Sequence, residues 1–182
     1  GYNVTVFERK NKIGKEVCSC LVSERILRFI PASQKLIQNQ INYCLIHFPR
    51  KTIKVEFSRR FFAINRSALD NLVANLAEKS GAKIILNHYL HSVPKGFDRI
   101  VGCNGAISFL RKGLGLREPQ FRLGIQGFIS KNDNLNFVET WPTKSGFLWK
   151  IPRDREVEYG IIEKPEKAKK VKSFLSKKNL KI

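Results

Sequence analysis

Between positions 67 and 80 the apolar residues Leu69, Leu72, Val73, Leu76 and Ala77 recur at helical spacing, which places them on one side of a helix of about 3.6 residues per turn. Ser67 and Asp70 stand as a capping-box pair at its start and Gly81 as its terminator, so the pattern predicts an amphipathic helix over 67–80. A short β-rich run at 82–86 follows, giving the helix, glycine turn, strand rhythm of a layered α/β protein. At the start, residues 2–8 alternate Val4, Val6 and Glu8 with other side chains and read as a strand that ends on a carboxylate. A second β-rich stretch at 97–101 leads into Gly102, Asn104, Gly105 and Ser108, then a basic turn at Arg111, Lys112 and Gly113. Beyond Phe121 the runs 123–129, 135–140, 146–151 and 157–162 are short and separated by turns, which predicts an antiparallel sheet and hence a second lobe.

Composition agrees with a folded chain: of 182 residues, 42% are apolar and 27% charged, enough to fill a domain of ordinary size. The absence of methionine and the glycine at position 1 read as the interior of a longer reading frame. Charge is the outstanding feature. Thirty-four basic against 15 acidic side chains give +19, a balance that favours anionic partners such as acidic lipid headgroups, phosphorylated cofactors or nucleic acid. Lysines crowd between Glu163 and Lys181, which reads first as a solvated helix face and second as a lipid- or RNA-binding tail. No run of about 18 apolar residues is present and no leader pattern opens the chain, so the expected location is cytoplasmic, with peripheral membrane attachment left open.

Candidate chemistry is sparse when read residue by residue. Cys18, Cys20, Cys44 and Cys103 are too irregularly spaced for a disulfide framework or a zinc site, and no metal site is expected. His47, His88 and His91 fall in no hydrolase motif. Nucleic acid is not favoured as a partner, because neither an aromatic sheet signature nor a GxxG clamp occurs in context. A strand that ends on an acidic residue is what a dinucleotide-binding unit needs to hold adenosine ribose hydroxyls, and Glu8 is placed for that role.

Four segments taken in order resemble the geranylgeranyl reductase family of FAD-dependent oxidoreductases, within the flavin monooxygenase-like superfamily. Val4 to Arg9, followed by Ile13-Gly14 and the loop Cys18 to Ser23, is similar to that family's strand, acidic end and cysteine-containing loop. Arg66 to Asp70 resembles its R-x-x-x-D helix start, and Gly102, Asn104, Gly105, Ser108 and Arg111 resemble its G-x-D-G-x-x-S-x-x-R motif, with asparagine where the family has aspartate. Gly146 to Pro152 with Glu158 to Gly160 is similar to its W-x-F/I-P segment in the substrate lobe.

The resemblance implies a doubly wound, Rossmann-like FAD-binding domain with an antiparallel substrate lobe, both incomplete. Residues 1–118 would be part of the FAD-binding domain, and 119–182 the start of the substrate lobe with its basic tail. FAD is the implied cofactor, with Glu8, Arg9, Arg66, Asn104 and Gly105 as candidate contacts. Plain alternatives stay beside them: a strand-end glutamate, a surface arginine and an ordinary Asn-Gly turn. Cys18 is a weak candidate for redox or proton-donor chemistry, or else a small buried thiol. Trp141, Phe147 and Trp149 are candidates to line an apolar substrate cavity, or else plain core. The implied partners are a prenylated lipid or other isoprenoid substrate and a reduced electron donor, NAD(P)H or ferredoxin. The implied reaction is hydride transfer to prenyl double bonds. Flavin-dependent hydroxylation or halogenation is the related alternative, and a non-enzymatic basic module that binds nucleic acid or membrane is the unrelated one. The glycine-rich phosphate turn would lie ahead of residue 1 and no closing Gly-Asp-Ala segment follows, so this stretch by itself is expected to bind FAD poorly.

Overall fold

The computed structural model describes residues 1–14, 18–167 and Ser173. In chain order the elements are β1 (Thr5–Phe7), β2 (Leu21–Ser23), α1 (Ile26–Phe29), a 3-10 turn (Pro31–Leu36), β3 (Ile37–Phe48), β4 (Lys51–Ile64), α2 (Arg66–Lys79), β5 (Lys83–Ile85), α3 (Phe109–Gly113), β6 (Leu123–Ser130), β7 (Phe137–Pro142), β8 (Phe147–Pro152) and β9 (Glu156–Glu163). Most of the lysine-rich end lies outside the described residues. Two compact units divide the chain, Gly1–Ile13 with Ala74–Phe121 and Gly14–Val73 with Arg122–Ile182. Residues 14–73 thus group with the stretch that resumes at Arg122.

In the first unit β1 and β5 run parallel, Thr5 opposite Lys83 and Phe7 opposite Ile85. The ladder continues one step past β1, where the Glu8 N–H donates to the Ile85 carbonyl at 2.9 Å. β5 follows α2, which ends in a Schellman turn. Gly81 (φ +93°) sends its N–H to the Glu78 carbonyl, and the Ala82 N–H reaches the Ala77 carbonyl. The N-terminus differs from the sequence reading: Asn65 is the cap, its Oδ1 accepting the Ala68 N–H at 2.9 Å, two residues earlier than the Ser67 box. Of the apolar stripe on α2 only Leu69 is buried, while Val73 and Leu76 stay about two-fifths exposed (42% and 41%). Residues 97–101 form no strand, a second departure. No neighbouring chain pairs with them, and Ile100 and Val101 are exposed.

The second unit holds one seven-stranded sheet in the order β2-β4-β3-β7-β8-β9-β6. The four expected runs after Phe121 appear as β6 to β9, with β7-β8, β8-β9 and β9-β6 antiparallel. The other half of the sheet is the long β3-β4 hairpin, joined to β7 in parallel from Tyr43 opposite Phe137 to Thr140 opposite Ile46. β3 and β4 lose register between Ile41 and Tyr43, where residues 57–60 of β4 stand against Asn42 alone.

Strand alternation then sorts the side chains. One face carries Val138 and Ile151, which with Ile41 and Ala63 form a buried cluster flanked by Cys44 and Trp149. A second cluster of Cys20, Phe62, Ile64 and Leu69 receives Ile26, Leu27, Ile30 and Leu36 from α1 and the 3-10 turn. The opposite face of the sheet pairs Tyr43 with Phe137 and His47 with Trp141 as stacked rings, at centroid distances of 4.9 and 5.0 Å.

Candidate functional site

Glu8 leaves β1 at its C-terminal end, the edge of a parallel sheet where ligands gather in open α/β folds. Its Oε1 accepts the Lys10 N–H at 2.9 Å, which orients the carboxylate, and its carbonyl accepts the His88 N–H at 2.9 Å, which fixes the backbone. The His88 ring lies 4.9 Å from that of Phe7, which supports the same corner. Arg9 is exposed beside it.

Also in the first unit, the Asn104-Gly105 turn closes on itself. Asn104 Oδ1, the acceptor expected to serve a cofactor, takes the Ser108 hydroxyl at 2.7 Å, and Ser108 Oγ in turn caps α3 by accepting the Arg111 N–H at 3.1 Å. The Arg111 Nη2 clamps the loop by donating to the Ala106 carbonyl and to Glu118, the latter at 2.9 Å. Gly105 has φ +80°, and a Cβ there would meet no heavy atom within 4 Å. The motif residues therefore build a rigid turn whose tip is open, and glycine is needed there for its backbone conformation.

In the second unit Arg66 opens α2 and donates from Nε to Asp70 Oδ1 at 2.7 Å, one helical turn on. A cation at a helix N-terminus is thus explained by a local carboxylate. Burial works to lower the pKa of Arg66, and its hydrogen bonds to Asp70 and Cys18 outweigh that and raise it. Cys18 Sγ accepts the Cys20 N–H at 3.3 Å. The φ of Cys20, +43°, is the left-handed conformation that glycine adopts freely. Its thiol is 3% exposed, and burial, then the neighbouring Cys18, push its pKa up, which leaves it a poor nucleophile. All four cysteines are free thiols.

The sequence reading missed the feature that organises this loop. Arg153, at the end of β8, is buried and donates from Nε and Nη2 to Glu158 Oε2 at 3.1 and 2.5 Å. Its remaining donors reach Gln38 Oε1 at 2.6 Å, the Ile64 carbonyl at 3.0 Å and the Ser19 carbonyl at 2.5 Å. One guanidinium thus ties the cysteine loop to the starts and ends of β3, β4 and β8. Glu158 Oε1 is satisfied by the Trp149 indole N–H at 2.8 Å. The segment Glu158 to Gly160 is picked out by resemblance, but nothing in it marks Glu158 as an ion-pair partner, since that partner is fixed only by the fold.

The three aromatic candidates are not brought together. Trp149 pairs with Thr140 across β7-β8 and Trp141 with Leu148, so the two indoles leave opposite faces of the sheet. Phe147 and Trp149 share a face, with ring centroids 5.9 Å apart, and Phe147 is 44% exposed. Trp149 lies over Gly160, where an added Cβ would come within 2.0 Å of Cζ2. Trp141 instead stacks on His47, which belongs to a polar chain: Thr52 Oγ1 to His47 at 3.0 Å, His47 Nε2 to Glu139 at 3.1 Å, and Glu139 to the Lys150 ammonium at 2.8 Å. Lys150 also meets Asp133 at 3.0 Å. Burial acts to lower its pKa and the two carboxylates more than offset that, leaving it raised.

No protein-family model matches the chain, and neither does any curated protein. Among solved structures, it superposes on a geranylgeranyl bacteriochlorophyll reductase-like protein from Thermoplasma acidophilum with a TM-score of 0.76 at 18% identity, over 96% of this chain and 54% of that one. CmlS, a flavin-dependent halogenase, gives 0.70 at 14% identity over 95% and 39%. A probable FAD-dependent monooxygenase from Pseudomonas aeruginosa, PqsL, gives 0.67 at 11% over 93% and 56%. The chain shares their fold. It spans about half the length of the first and third of these proteins and less of the second. The mixed architecture, parallel strands in one unit and a largely antiparallel sheet in another, agrees with the α/β class expected from the sequence.

Proposed function

We propose that the chain is part of an FAD-dependent oxidoreductase that reduces carbon–carbon double bonds of a prenyl chain. The observation that carries the reading is the superposition itself, which runs through 96% of the residues and takes in both units. Fold alone leaves the reaction open, and the residues themselves bear on the fit. Glu8 fits: its carboxylate is held at the C-terminal end of a parallel strand by the Lys10 N–H, as ribose hydroxyls require. Arg9, exposed next to it, suits a phosphate. The Gly105 tip fits close backbone approach, while Asn104 acts on the turn through Ser108 rather than on a ligand. Arg66 is committed to Asp70 and Cys18, and contributes to the cysteine loop.

Bound FAD, once reduced, supplies the hydride. In the first unit Glu8 would hold the adenosine end; in the second, Phe147 and Trp149, which share a sheet face, would offer an apolar surface. Trp141 has no place in that surface. Hydroxylation or halogenation by a flavin is supported by the equally extensive likeness to CmlS and PqsL. The two readings separate in one experiment. Protein from the full reading frame is incubated anaerobically with a reductant and a geranylgeranyl lipid, and the product is weighed by mass spectrometry. Uptake of hydrogen at the double bonds supports prenyl reduction. Turnover that starts only on admission of oxygen, with oxygen or halogen in the product, overturns it.

A further inference from the structure

α1 and the 3-10 turn after it form a short, tightly bonded projection from the second unit. The N–H groups of Leu27, Arg28 and Ile30 close its turns on Glu24, Arg25 and Ile26. Ser33, fully buried, returns both its N–H and its hydroxyl to the Ile30 carbonyl, at 2.9 and 2.6 Å. Ile26, Leu27, Ile30 and Leu36 face inward onto the cluster around Cys20 and Phe62. Phe29 does not. It is 81% exposed on a segment whose other large apolar side chains have found cover, and Pro31 and Ala32 beside it are exposed as well.

A single exposed phenylalanine is ordinary in itself. What distinguishes this one is its electrostatic setting. Arg25, Arg28 and Lys35 surround it in sequence and are all exposed. From Arg25 to Val55 the chain contains no aspartate or glutamate. Glu24, the nearest acid in sequence, is held by Arg60 at 2.8 Å. An exposed apolar side chain flanked along the chain by exposed cations is matched by a surface that is anionic outside and apolar just beneath, which is an anionic phospholipid bilayer.

We propose that the projection Arg25–Lys35 docks this protein on anionic lipid membrane, with Phe29 entering the headgroup boundary and Arg25, Arg28 and Lys35 meeting lipid phosphates. The proposal stands apart from the flavin reading, since no residue in it is assigned to cofactor or substrate. It is tested by flotation of the full chain with vesicles of phosphatidylcholine alone and of phosphatidylcholine mixed with phosphatidylglycerol. The chain is expected to float with the mixed vesicles only. Arg25→Gln/Arg28→Gln should weaken that binding by about 30-fold, and Phe29→Ser by about tenfold. These positions are exposed, and far-ultraviolet circular dichroism of each variant confirms the fold. Failure to float with anionic vesicles overturns the proposal. So does undiminished flotation of Phe29→Ser, which would assign binding to charge alone, with no insertion of Phe29. Binding to polyuridylate that is lost in the same variants, with vesicles ignored, would make the projection a nucleic-acid surface instead.

Discussion

Replacing Glu158 by alanine would leave the Arg153 guanidinium, whose side chain is 4% exposed, without its counter-ion, and would strand the Trp149 indole N–H. Breaking a buried ion pair from one side costs about 3–5 kcal/mol, because the surviving charge stays desolvated. Arg153 keeps the Gln38, Ile64 and Ser19 acceptors, which places the expected loss near the lower end, about 3 kcal/mol. That is a large fraction of the stability of an ordinary domain, about 5–15 kcal/mol. Arg153→Met/Glu158→Leu removes both charges and fills the space with apolar volume, so it should be less destabilised than either single variant, with a coupling of at least about 2 kcal/mol. Urea denaturation followed by tryptophan fluorescence reads this directly, since Trp149 touches the pair. A Glu158→Ala variant within about 1 kcal/mol of the parent, or single effects that simply add, would show that the pair does not organise the loop and would refute the reasoning.

Three other outcomes follow from the geometry. Gly160→Ala places a methyl within 2.0 Å of the Trp149 ring, so the ring must move; a loss of about 1–3 kcal/mol with altered tryptophan emission is expected, and unchanged emission counts against the packing. Lys150 has a raised pKa in the fold, so its contribution is complete below the ordinary lysine value of about 10.4 and is lost as pH rises through the higher folded value; Lys150→Met should flatten the alkaline fall of the melting temperature. Iodoacetamide should label exposed Cys103 first and Cys20 last, the latter only on unfolding, because Cys20 is buried with a raised pKa; early labelling of Cys20 in native protein contradicts its placement.

Strands β1 and β6 to β9 and helix α2 were legible because each is a local pattern: a carboxylate after alternating valines, four turn-separated runs, an apolar stripe ended by glycine. The β3-β4 hairpin was not, although residues 51–56 alternate, because half of it is exposed on both faces and offers no consistent apolar side. Residues 97–101 carried β-prone side chains with no neighbour to pair, so propensity misled. In the candidate site, Glu8 was readable from its place at a strand end. The separation of Trp141 from Trp149 depended on parity within a pairing register, which the local sequence does not fix. Arg153 and Glu158 lie five residues apart, but their value comes from Ser19, Gln38 and Ile64, contacts that exist only once the sheet has closed.

The flavin role proposed above assigns Glu8 a part in holding the cofactor. The most direct measurement is the absorption spectrum of protein purified from the full reading frame, alongside its Glu8→Ala variant. The account predicts the two bands of an oxidised flavin in the parent and reduced flavin content in the variant. A folded, colourless parent that stays colourless after incubation with FAD would contradict it.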